Sequence, residues 1–114
     1  MGVTRHVLTV DLRDDPDAIR TYVEHHQQVW PEVLDSLRHA GIQAMDIYLL
    51  ARRLVMVVEI AEGLTLQEAF TIHRSVGGRV DDWERLMLSL QEPPPGAEPG
   101  QAWTPMTSVF HFQA

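Results

Sequence analysis

Hydrophobic and polar positions along the chain alternate between two periods. His6 to Leu12 reads HVLTVDL, and its Val and Thr content favours a strand. Asp14-Asp15-Pro16-Asp17 then marks a helix start: Asp15 can cap, Pro16 suits the first helical position, and Asp17 complements the positive end of the dipole. Ile19, Tyr22, Val23, His26, Val29 and Trp30 follow at steps of three and four, which predicts one inward helical face. Pro31 removes a backbone donor and disfavours helical geometry at Trp30, so a kink or break is expected there. A second helical piece runs to about His39, buries Val33, Leu34 and Leu37, and stops at Gly41, suited to a left-handed cap. Two apolar segments, Ala44 to Leu50 and Leu54 to Ile60, are joined over Ala51-Arg52-Arg53, a hairpin-length connection. Leu54 to Val58 is apolar without alternation and reads as a strand covered on both faces. Thr65 to Arg74 and Arg79 to Leu90 carry helical spacing on either side of Gly77-Gly78. A proline-rich loop from Glu92 to Gly100 precedes Thr107 to Phe112 (TSVFHF), a strand by composition.

The order strand, helix, strand, strand, helix, strand suits an antiparallel sheet with helices on one face. This is the α+β ferredoxin-like split βαββαβ arrangement. The 114 residues make one domain, 1–114. Helices on one face leave the other bare, so the apolar central hairpin predicts a homodimer packed through its sheet faces, a dimeric α+β barrel.

Composition narrows the chemistry. Hydrophobic residues are 45% and charged residues 22%, ordinary for a globular protein. Nine Lys plus Arg against 16 Asp plus Glu give a net charge of −7, without the basic clusters that nucleic acid or an anionic membrane surface requires. No apolar run approaches a membrane span or a signal peptide, so the expected location is the cytoplasm. The absence of cysteine removes disulfides, thiolate zinc sites and cysteine nucleophiles. Acid–base chemistry near neutral pH falls to six histidines and the carboxylates.

The strongest local feature is Tyr22-x3-His26-x3-Trp30-Pro31-Glu32. Each step of four rotates about 40° around a helix axis, so the three rings share a stripe if the helix persists to Trp30. An ionisable group on an apolar stripe is most simply a buried, hydrogen-bonded histidine. Beside a phenol and an indole it also fits a general acid–base in a pocket for a small polar ligand such as a sugar. His25-His26 does not form a metal pair, because adjacent helical residues diverge by about 100°. His73 and His111 could join His26 only through the fold, no metal-protease spacing is present, and no metal is expected. Asp81-Asp82 reads as solvated charge, and Gly77-Gly78 as a helix break without phosphate-loop spacing. Trp83 and Trp103 read as core or interface residues.

Tyr22-x3-His26-x3-Trp30-Pro31-Glu32, the Ile47-Tyr48-Leu49 strand and the closing Val109-Phe110-His111-Phe112 resemble the L-rhamnose mutarotases, whose element order and length match over nearly the whole chain. The resemblance implies a dimer of ferredoxin-like subunits, without cofactor, that interconverts the α and β anomers of a deoxyhexose. It implies that His26 is the acid–base residue and that Tyr22 contacts sugar. It also places Met45 and Asp82-Trp83 at substrate-binding positions. Met45 stands where the family has tyrosine, and Asp82 where it has the first of two tryptophans. An aspartate accepts hydrogen bonds from hydroxyls where an indole stacks, which makes another hydroxyl pattern, such as that of L-fucose, plausible. The simpler alternative turns Asp82 to solvent and leaves Trp83 to act alone.

Mutarotation removes a proton from the anomeric hydroxyl and delivers one to the ring oxygen. A histidine can do either, while the second carrier is open between water, Tyr22, Asp82 and the final strand. Two other readings share the fold: a cofactor-independent or haem-linked oxygenase with an aromatic substrate, and a non-catalytic sugar-binding module.

Overall fold

The computed structural model describes residues 2–114. Its elements run β1 (Val3–Leu12), α1 (Pro16–Gln27), α2 (Pro31–His39), β2 (Ile42–Leu50), β3 (Arg53–Ala61), α3 (Leu66–Arg74), α4 (Arg79–Leu90), and two-residue strands β4 (Gln91–Glu92) and β5 (Thr104–Pro105). The sheet is antiparallel in the order β2-β3-β1-β4, with β5 also on β1. This α+β architecture is the ferredoxin-like one expected from the order of the elements.

Local chemistry sets the boundaries. The Asp15 carboxylate accepts from the Asp17 amide at 3.0 Å, with Pro16 at the first helical position. Thr65 and Glu68 form a reciprocal capping box at the start of α3, with bonds of 3.0 and 2.9 Å. Gly41 closes α2 at φ 86°, a backbone conformation that favours glycine, and a Cβ there would also displace the Leu64 side chain, whose Cδ1 lies 2.6 Å away. Ala51 turns the β2–β3 hairpin at φ 55°, a conformation usually left to glycine or asparagine.

The core lies between one sheet face and the helices. Leu8, Val10 and Leu12 of β1 and Leu54, Met56, Val58 and Ile60 of β3 are buried on it. Leu54 to Val58 therefore does alternate: Val55 and Val57 point to the opposite face and are only half-buried. That face also carries Tyr48, 61% exposed, and Leu50, 80% exposed. Trp103 packs into the core against residues from both ends of the sheet.

Further expectations change. First, α1 ends at Gln27 and Trp30 sits between the helices in extended backbone (φ −59°, ψ 136°), as the residue before a proline prefers. Trp30 thus belongs to the turn rather than to the α1 stripe. Second, Val23 and Leu34 are each 38% exposed, because the buried stripe of α1 runs through Ala18 and Tyr22 and that of α2 through Val33 and Ser36. Third, Thr107 to Phe112 is not a strand. The Met106 amide still donates to the Val7 carbonyl at 2.8 Å, but beyond it the residues have strand composition without a strand to pair with, and Val109, Phe110 and Phe112 are exposed. Glu92, assigned to the proline-rich loop, pairs with Asp11 in β4. Among the described residues no helix is long and apolar enough to cross a membrane.

Candidate active site

Four aromatic or imidazole rings converge where α1, the α1–α2 turn and α4 meet. Tyr22 is buried on the inner face of α1, and His26 stacks on it one turn later, with ring centroids 4.1 Å apart and planes 25° apart. The four-residue step places one ring above the other, as the spacing requires. Trp83 of α4 meets His26 edge-on at 5.3 Å. Trp30 meets the same indole at 5.1 Å, and the Arg79 guanidinium covers Trp30 at 3.8 Å from its centroid. The break at Pro31 takes Trp30 off the helix yet leaves it against the site.

His26 is held in one tautomer. Its Nδ1 lies 2.8 Å from the Tyr22 carbonyl oxygen, which can only accept, so in the neutral ring Nδ1 carries the hydrogen and Nε2 the lone pair. Nε2 takes no protein hydrogen bond among the described residues. Burial of the half-exposed imidazole pushes its pKa below the ordinary histidine value. The Tyr22 carbonyl opposes that shift, and the neighbouring His25 adds to it. The His26 imidazole is therefore favoured in its neutral form, with Nε2 unspent. Burial, helped by the negative charge of Glu84, raises the Tyr22 phenol well above its ordinary pKa, so Tyr22 acts as a hydroxyl donor and not as a phenolate.

The other sequence-derived positions divide. Trp83 is buried in the cluster. Met45 points to the helix-facing side of β2 and packs on the neighbouring part of the core with Met56 and Val58. Asp82 is exposed on α4 and binds Arg85 at 2.7 Å. The structure thus brings Tyr22, His26 and Trp83 together, and holds Met45 and Asp82 apart from the stacked rings.

Sequence reasoning missed two features. His25 lies 6.1 Å from Trp83, on its own line of approach; the 100° divergence set it aside, but a third ring between the two imidazoles escapes that geometry. Ser36, His73 and Glu84 form a hydrogen-bonded row across α2, α3 and α4, which no local spacing announces. Among the described residues no three His, Asp or Glu side chains are placed to hold a metal ion.

Residues 5–112 match the sequence profile of the L-rhamnose mutarotases. The chain belongs to the L-rhamnose mutarotase family. An L-fucose mutarotase from Xanthomonas campestris pv. campestris is 35% identical over 113 residues, covering 96% of this chain and 89% of that protein. The crystal structure of an L-rhamnose mutarotase from Formosa agariphila superposes with a TM-score of 0.68 at 19% identity, over 96% of this chain and 99% of that one. A dimeric ferredoxin-like protein from an uncultured marine organism superposes at 0.54 with 16% identity, over 99% and 95% of the two chains. This family member is thus a sugar mutarotase, an isomerase on a ferredoxin-like α+β fold.

Proposed function

We propose that this mutarotase interconverts the α and β anomers of a deoxyhexose pyranose, L-rhamnose or L-fucose, with His26 as the acid–base residue. The observation that carries this reading is the His26 imidazole: neutral, fixed in tautomer, stacked on Tyr22 and set against Trp83 with Nε2 free. Nε2 takes the anomeric hydroxyl proton, the bond between the anomeric carbon and the ring oxygen opens, and the aldehyde turns before the ring closes on its other face. Tyr22 and Trp83 touch the sugar through the small part of each ring that the fold leaves accessible. Asp82, exposed on α4, reaches sugar hydroxyls by exchanging Arg85 for them, while Met45 stays packed in the core. A methyl group at C6 suits this lining of rings better than a hydroxymethyl group does.

We further propose that the protein is a homodimer in which a second copy covers the outer sheet face. Tyr48, Leu50 and the half-buried Val55 and Val57 make an apolar strip on that face between the Arg5–Glu59 and Arg53–Asp11 ion pairs, and Phe110 and Phe112 are exposed as well. Sedimentation at the monomer mass would remove this reading.

Saturation-transfer NMR on a panel of deoxyhexoses and their parent hexoses tests the activity. The expected result is anomer exchange above buffer for at least one of L-rhamnose and L-fucose, and weaker exchange for the parent sugars. Exchange at the buffer rate across the panel rejects the assignment.

A further inference from the structure

Mutarotation moves two protons, and α1 carries a second imidazole at the site. His25 and His26 both approach Trp83 edge-on, with centroids at 6.1 and 5.3 Å and planes at 66° and 63°. Each Nδ1 lies 2.8 Å from the carbonyl oxygen one turn earlier, that of Thr21 for His25 and of Tyr22 for His26. A carbonyl only accepts, so both neutral rings carry hydrogen on Nδ1 and present Nε2. Neither Nε2 has a protein hydrogen-bond partner among the described residues. Successive helical side chains diverge by about 100°, which keeps the two imidazoles from chelating one ion. The same divergence lets both approach one indole and address two different atoms of a ligand beside them.

The remaining polar groups around Trp83 are otherwise engaged. On α4, Asp82 binds Arg85 at 2.7 Å and Glu84 binds His73 at 3.1 Å. Arg79 lies over Trp30. On α1, Arg20 and Glu24 pair with one another on the exposed side, and the Tyr22 phenol keeps its proton. Among these groups, only the two imidazoles can both give and take a proton near neutral pH.

The geometry points to His25 as the second acid–base residue of the site, delivering a proton to the ring oxygen while His26 removes one from the anomeric hydroxyl. This rests on the mutarotase reading and extends it. In ring opening, neutral His26 takes the proton of the anomeric hydroxyl, and that O–H electron pair becomes the second bond of the aldehyde. The bond between the anomeric carbon and the ring oxygen breaks with its pair on the ring oxygen, which takes a proton from the His25 imidazolium. The two imidazoles have then exchanged protonation states. Ring closure on the other carbonyl face runs the transfers backwards: His25 takes the proton from the chain hydroxyl, and His26 returns its proton to the new anomeric oxygen. Both residues end as they began, so one turnover draws no proton from solvent.

The test is His25→Gln, with His25→Asn as the alternative should the first fail to fold. Exchange rates are measured from pH 5 to 9 with the sugar that the wild type accelerates best, and the His26 imidazole is titrated by NMR. The expected result is a kcat lower by about a hundredfold, the lower end of the range for a positioned acid or base. KM stays within twofold, one limb of the bell-shaped pH profile is lost, and the His26 midpoint moves up because a neighbouring positive charge is gone. A variant with wild-type kcat and both limbs overturns the assignment, whatever the His26 midpoint does. A wild-type protein that accelerates no sugar instead overturns the mutarotase reading beneath it.

Discussion

Two histidines of the helical layer have opposite chemical fates. His73 of α3 is 3% exposed, and both of its ring nitrogens are spent on protein: Nδ1 lies 2.7 Å from Ser36 Oγ, and Nε2 lies 3.1 Å from Glu84 Oε1. It ties α2, α3 and α4 together. His26 of α1 spends Nδ1 on its own helix and leaves Nε2 without a protein partner among the described residues. Both lie on helix faces that pack inward, so apolar company does not tell them apart. What separates a structural imidazole from one available for chemistry is an unspent ring nitrogen.

Breaking His26 has the largest expected effect. His26→Ala lowers anomer exchange by about 10²–10⁴-fold, the range of a positioned acid or base, and leaves the thermal midpoint within a few degrees because the side chain is half-exposed. The pH dependence sharpens the point. Burial lowers the folded-state pKa of His26, so the neutral base persists below the ordinary histidine value of about 6.5. Exchange falls only as pH drops through that lowered pKa. Stability follows the same sign: over that window the unfolded chain binds more protons, so stability is present above about 6.5 and is lost as pH falls toward the folded-state pKa. An acidic limb of the rate profile lying above that value contradicts the burial account.

His73→Ala is expected to invert this outcome. It removes the ring's bonds to Ser36, whose hydroxyl keeps the His73 carbonyl, and to Glu84, and it opens a hole between three helices. The cost is about 2–3 kcal/mol in a urea titration, with the exchange rate per folded molecule within threefold of wild type. A variant of normal stability and low activity would assign the reactive role to the wrong histidine.

The difference between the two sites also explains what the sequence disclosed. Tyr22 and His26 are four residues apart on one helix, so their stacking is written in the spacing, as are the Asp15-Pro16 start of α1 and the Gly41 end of α2. Ser36 and His73 lie 37 residues apart in sequence and meet only because α2 and α3 pack, a relation no periodicity records. The approach of His25 to Trp83 is hidden for the same reason. Thr107 to Phe112 fails in another way: its composition is that of a strand, but strand formation needs a partner edge, and composition carries no information about one. Fold order and the heart of the site were legible because both rest on local spacing.

Asp82 gives the smallest and most specific test, since it separates an unspent carboxylate from a spent one as His26 and His73 do for imidazoles. Its exposed bond to Arg85, three residues on, contributes under about 0.5 kcal/mol, so Asp82→Ala leaves stability nearly unchanged. If Asp82 trades Arg85 for a sugar hydroxyl, the same change raises KM about two- to fivefold with kcat unaltered, the signature of lost uniform binding. Arg85→Ala then acts in the other direction, because it frees the carboxylate and lowers KM. A KM indifferent to both substitutions assigns Asp82 to the solvent face and leaves Trp83 as the sugar wall on α4. Opposite shifts place the carboxylate on the sugar, where its exchange of partners supplies the preference among hydroxyl patterns that an indole at the same position could not.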